Sequence, residues 1–255
     1  MTMTSLFKAS VRPNRAAFAF VGTALCLAGS ALAAAPLVDD AVTLVRTAKK
    51  GDINKYSVEA TASVSGVEAS LKNTLKYEVK EVKADGVVVV EVSDEGGKLV
   101  FGGMEMDAPQ SPAVTETREK SGKLTKAVSA ADNPVFPAEV VSLLAAVREV
   151  VFTDKPVKSG DTWNVEFDNP AVKGKKITLK STYSGIDKVD GKDFWKVKHT
   201  GEAEVNAAGE KVTFEMTEWR EPATGRIEKG ESSVKGIPTA MLGNINMTMK
   251  TSRVK

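Results

Sequence analysis

A single histidine limits the chemistry this chain can attempt. His199 falls in Trp195-Lys196-Val197-Lys198-His199, and strand alternation puts it on the same face as Trp195 and Val197, the apolar one. An imidazole there could act as a base or ligand contact inside a pocket, or it could be a core histidine satisfied by a neighbour. The second reading is favoured, because one histidine with no serine elbow or thiol beside it is half a mechanism. The sequence carries no GxSxG, HExxH, P-loop or dinucleotide glycine pattern, and one His with one Cys supplies too few donors for a zinc site. Among the acids, Glu215 and Glu218 share a strand pattern with Phe214, Met216 and Trp219. Three residues apart, they point to opposite faces and cannot converge on one glycosidic bond. Glu91, Asp94 and Glu95 cluster in a turn, where solvated charge is the ordinary explanation. The residues therefore point away from an enzyme, with a carbohydrate-active enzyme ranked last, and they imply no cofactor and no metal.

Aromatic residues are the other candidates. Tyr56, Trp163, Trp195 and Phe214, together with His199, occupy strand positions that could line a groove for an apolar or amphiphilic ligand. Tyr77 has a similar position. The competing account is that such side chains simply fill the core.

The elements that would position these residues alternate with period two. Tyr56, Val58, Ala60, Ala62 and Val64 oppose Lys55, Ser57, Glu59, Thr61 and Ser63. Leu71, Leu75, Tyr77 and Val79 oppose Lys72, Thr74, Lys76, Glu78 and Lys80, the mark of an antiparallel sheet wet on one side. Ser65-Gly66, Asp85-Gly86, Gly96-Gly97, Ser121-Gly122, Asp190-Gly191, Ala208-Gly209 and Thr224-Gly225 read as turns. Ala41–Arg46 reads as a short strand. Asn133-Pro134 breaks the strand run, Pro137 suits a first helical position, and 138–150 reads as one helix whose apolar stripe (Val140, Leu143, Leu144, Val147, Val151) demands burial.

The two halves echo each other. Lys50-Gly51-Asp52 answers Ser159-Gly160-Asp161, Leu71 answers Leu179, Gly86 answers Gly191 and Gly122 answers Gly225, with offsets drifting only between 103 and 109. The expected fold is mainly β: two tandem pseudo-repeated antiparallel β-meanders forming a strongly curved sheet or half-barrel, with one buried helix between the repeats. Twelve or so twisted strands argue for the curl. The division is 1–33 signal peptide, 34–130 first meander, 131–152 linker and central apolar helix, and 153–255 second meander, the two meanders forming one globular domain.

Lys8, Arg12 and Arg15 precede an apolar run, 16–28, too short to span a bilayer comfortably, and Ala31-Leu32-Ala33 supplies small residues for cleavage. The lone cysteine, Cys26, follows a bulky Leu25, which departs from a lipoprotein signal. The whole chain has 35 Lys+Arg and 33 Asp+Glu; without the leader the balance is 32 against 33. That near-neutral remainder gives no electrostatic case for nucleic acid. After leader removal no apolar stretch is long enough to span a membrane. An outer-membrane barrel is rejected because the aromatic girdles are missing.

The twin K-x-G-D turn followed by an aromatic and Val-Glu, and later by a T/S-G-K/R-L/I turn, carried best by Phe152–Phe167 (FTDKPVKSGDTWNVEF), resembles exported bacterial proteins grouped as a domain family of unknown function. That resemblance implies export to the periplasm or beyond and no activity. A curved sheet holding a helix would look like periplasmic lipoprotein carriers, a likeness of fold only. The leading reading is a non-enzymatic exported protein binding an apolar or amphiphilic ligand. The alternative is a structural or interaction module of the cell envelope with a packed core, its partner an envelope protein.

Overall fold

The computed structural model describes residues 40–64, 66–133, 136–206, 208–239 and 243–255. The expected signal peptide 1–33, and the Ser65 and Pro134 members of two expected breaks, lie outside the described residues.

Alternating residues form strands where the pattern says they should. In chain order these are β1 (Ile53–Val64), β2 (Val67–Val82), β3 (Val88–Phe101), β4 (Met104–Asp107), β5 (Val114–Arg118) and β6 (Leu124–Ser129). After the helix α1 (Ala138–Val147) come β7 (Thr162–Asp168), β8 (Lys176–Val189), β9 (Lys192–Glu204), β10 (Lys211–Arg220), β11 (Ile227–Thr239) and β12 (Gly243–Arg253). All pair antiparallel in one sheet, in the order β6-β5-β3-β2-β1-β12-β11-β10-β9-β8-β7, with β4 added beside β3. The first and last strands meet at its centre, where Tyr56 lies opposite Arg253 and Ser63 opposite Asn246.

The strongly curved sheet or half-barrel expected from strand number is not what forms. The sheet is continuous and open, neither closed nor strongly curled, and β6 and β7 end the pairing path without meeting. Two features remove the need for closure. Register shifts in β2–β3, β8–β9 and β11–β12 relieve the ladder locally. Cover, and not closure, buries the apolar face: α1 and the irregular stretches on either side of the strands lie on it. Short edges of six and seven residues limit the unpaired backbone.

On that face Val140, Leu143, Ala146 and Val147 of α1 pack with Ile177, Leu179, Phe214, Met216, Val234 and Ile237. Leu44, Val150, Phe152 and Val157 pack with Tyr183, Trp195 and Val197, and Val79, Val88, Val90 and Val92 form a smaller cluster in the first half. On the opposite face cross-strand pairs such as Lys72–Glu59, Lys80–Glu91, Lys198–Glu215 and Lys211–Glu202 sit in water. They add solubility more than stability.

Three local expectations change. Ala41–Arg46 is not a strand; it makes one bridge, Val42 with Val157, because its neighbours are the covering stretch and not a sheet edge. Gly96-Gly97 is not a turn but lies inside β3, and the turn moves to Gly102-Gly103. A Cβ on Gly97 would stand 2.0 Å from the Lys72 carbonyl oxygen, so the glycine permits a close strand approach. The helix stops at Val147, with Pro137 as its N-cap and not its first residue, because Arg148 and Glu149 turn into buried ion pairs.

Leu143 has no exposed surface. Leu143→Ala is expected to cost about 2–5 kcal/mol, read as a lower urea midpoint at unchanged m-value.

Candidate functional site

The five side chains expected to line a ligand groove are distributed over separate environments. Trp195 is buried in the cluster around Tyr183, and Trp163 packs half-buried against the same cluster. The Trp163 indole donates to the Val151 carbonyl oxygen at 2.9 Å. Phe214 belongs to the core beneath α1. His199, fully buried, lies across from Met216 on β10 and Ser181 on β8. Its pKa is pushed down to about 4, by burial first and by Arg220, against the pull of Glu218 and the Val147 backbone. Tyr56 is elsewhere, edge-on to Tyr77 with ring centroids 5.1 Å apart. Of the five, Tyr56 borders one cavity and Trp163 another.

What the structure brings together instead is a buried cluster of arginine and glutamate. Glu116-Thr117-Arg118 ends β5 and Glu218-Trp219-Arg220 ends β10, each acid and its arginine sharing the inward face. In both halves the arginine Nε donates to that glutamate, at 2.9 Å in the first and 2.8 Å in the second. In both, Nη1 donates to the carbonyl of the following turn glycine, Gly122 at 2.9 Å and Gly225 at 2.6 Å. The Gly-Asp turns match too: the Lys49 and Lys158 amides donate to Asp52 and Asp161, and the Gly51 and Gly160 amides donate to the Val79 and Tyr183 carbonyls.

Between the two motifs stands Glu149, just past α1. It accepts from Arg46 at 2.6 Å and lies 3.9 Å from Arg118. Burial works against its charge, and Arg46, Arg118, Arg220 and Arg148 override burial, holding the carboxyl far below the usual range. Arg148 pairs with Glu116 and covers the Tyr77 ring at 5.1 Å, while Arg220 covers Phe152 at 5.2 Å. A cavity of about 60 Å³ opens beside this network, lined by Arg46, Tyr56, Tyr77, Glu149 and Arg220 with Asp52 and Arg226 at its rim. A second, open groove of about 500 Å³ runs along Trp163, Asn164 and Val165 of the β7 edge, facing 151–154 and the 119–123 turn.

The sequence reading passed over Glu116, Arg118, Arg148, Glu149 and Arg220. The available signal was a charged pair at inward strand positions, repeated at an offset of 102 just before the matched glycine turns. Glu215 and Glu218 do face opposite ways, the first paired with Lys198 in solvent and the second with Arg220 in the interior. Among the described residues, no three His, Cys, Asp or Glu side chains are grouped to hold a metal ion, and no helix is long and apolar enough to cross a membrane.

No family profile and no curated protein sequence matches the chain. Solved structures match the chain only at a distance. Lipovitellin, in a structure of its lipid–protein interactions, matches with TM-score 0.43 and 9% identity over 81% of this chain and 25% of its own. This chain thus spans about a quarter of that one. The hypothetical lipoprotein YmcC from Escherichia coli (K12) matches at 0.29 and 14% identity, over 79% of this chain and 84% of its own. A DUF1329 family protein from Desulfovibrio piger matches at 0.23 and 8% identity, over 79% and 84%.

Two outcomes follow from the electrostatics. Arg118→Met leaves Glu116 with Arg148 and removes the donors to Gly122 and Ala145; it should cost about 3–5 kcal/mol, and with Glu116→Gln in the same chain the cost should be less than the sum of the two single changes, as a urea double-mutant cycle reads. The second concerns acid. Below pH 6.5 the unfolded chain takes up a proton that folded His199 refuses until about pH 4, so stability falls as pH drops through that window and flattens beneath it. The full loss is about 3 kcal/mol. His199→Gln should flatten the urea midpoint between pH 6.5 and 4.5; equal slopes in both proteins would exclude this origin.

Proposed function

We propose that the chain is a non-enzymatic, exported binding module of the bacterial cell envelope that engages a protein partner at its surface. The observation that carries this reading is the β7 edge. It has no strand on its outer side among the described residues, and it borders the 500 Å³ groove containing Trp163. An extended segment of a partner can add backbone hydrogen bonds to such an edge while a side chain rests against the indole. The interior supports a surface role. Its aromatic residues are packed in separate clusters, and the cavity beside Tyr56 is about 60 Å³, far below the 300–1,000 Å³ typical of ligand pockets. That weighs against an enclosed apolar ligand. Export rests on the leader residues Lys8, Arg12, Arg15 and Ala31-Leu32-Ala33. The matched turns and Glu-x-Arg pairs support one β-unit used twice within a single domain.

Photocrosslinker placed at Asn164, on the groove, is expected to capture one discrete protein from intact cells, and the same group at Thr61 on the solvated face is not. Asp154→Lys, an exposed position on the facing wall of the groove, should abolish the capture without lowering the melting temperature by more than a few degrees. Equal labelling from both positions, or purified protein that carries lipid in stoichiometric amount by mass spectrometry, would overturn the reading.

A further inference from the structure

Two Met-x-Met pairs lie in the sheet, and they are treated differently. Met247 and Met249 of β12 stand opposite Ala62 and Ala60 of β1 and are partly buried against the core beneath α1. Met104 and Met106 of β4 have the same spacing, yet 65% and 44% of their surface is exposed. β4 is a four-residue strand that pairs only with β3, so no strand lies on its outer side among the described residues. Its other two residues are engaged: Glu105 and Asp107 lie 3.8 and 2.9 Å from Lys98. The two methionines of β4 bury too little for packing to account for them.

Their placement suits a different task. Met104 stands opposite Phe101 and Met106 opposite Leu99, which puts both on one face of the strand. Residues two apart on a strand are about 6.5 Å from each other. Each methionine side chain turns about three bonds, so both sulfurs can close on one ion held between them. Thioether sulfur is a soft donor that selects monovalent copper over the hard cations magnesium and calcium. Unlike a thiol or an imidazolium it has no proton to lose, so acid does not compete with the metal.

We infer that Met104 and Met106 form a two-thioether site for one soft monovalent cation of the Cu(I) or Ag(I) kind, on the edge of the first half of the sheet. The site is independent of the β7 groove, and its test involves no partner protein.

The experiment takes the full exported chain, carbon-13 labelled in its methionine methyl groups, and titrates it with silver nitrate in chloride-free buffer. The methyl resonances of Met104 and Met106 should shift together and stop shifting at one silver ion per chain. Those of Met216, Met247 and Met249 should stay in place, and sodium or magnesium nitrate should move none of them. Met104→Leu should abolish the response of Met106 at one equivalent, and Met106→Leu that of Met104. Leucine keeps the volume and the apolar surface, so both variants should melt with the unaltered protein, and a merely apolar role would survive the exchange. No shift at one equivalent, β12 resonances that move first, or a Met106 response that still saturates in Met104→Leu would overturn the inference.

Discussion

The fold depends on the need to keep like charges apart and unlike charges close in a place that water scarcely reaches. Glu149 sits where the end of α1, the stretch around Arg46, and the ends of β5 and β10 all arrive. Each of those arginines would be untenable in the interior alone; together with the acids they are tolerated. Ion clusters of this kind add little net stability compared with a well-packed apolar core. They do fix geometry, since Arg118 must reach Glu116, Gly122 and Ala145 at once. The position of the helix on the sheet is therefore set twice, by the apolar contacts of Leu143 and Val147 and by the hydrogen bond to Ala145.

The two halves share a plan but divide the work unequally. In the second half, Ile177, Leu179 and Val212 are sealed beneath α1 and Val197 beneath Val150, Phe152 and Val157. In the first, Leu71, Leu75 and Tyr77 stay half-buried, and a polar Asn73 occupies an inward position beside Gly97. The first half thus relies on close backbone approach where the second relies on bulk. The same asymmetry leaves Arg220 Nη2 without an acceptor among the described residues, where Arg118 Nη2 has Ala145.

Strand identity was legible because the alternation is strict: Lys211–Arg220 is written in the sequence as clearly as it appears in the sheet. The twinned glycine turns could be read for the same reason, since their positive φ angles leave little choice of residue (Gly51 at 87°, Gly160 at 89°). Sheet shape was not legible. Strand number suggests a need to curl, but whether cover or closure meets it depends on the placement of 41–47 and 148–157, which have no periodicity to read. The charged cluster was hidden differently. Glu116 and Arg118 look like ordinary solvent-facing residues until the parity of β5 is counted from Val114, and Arg148-Glu149 looks like a helix end. The aromatic residues Tyr56, Trp195 and Phe214 are buried, but nothing in the sequence says that they turn toward different surroundings.

The pairing of β1 with β12 has a consequence for how the chain comes to be folded. Thr61 finds Thr248 across 187 positions of sequence, so the central seam of the sheet cannot zip until β12 has been delivered. A chain emerging from its amino end exposes the open side of β1 throughout that interval. Such a topology is slow by nature and prone to wrong pairings with neighbours. The wet outer row of Lys55, Glu59 and Thr61 along β1 guards that waiting edge.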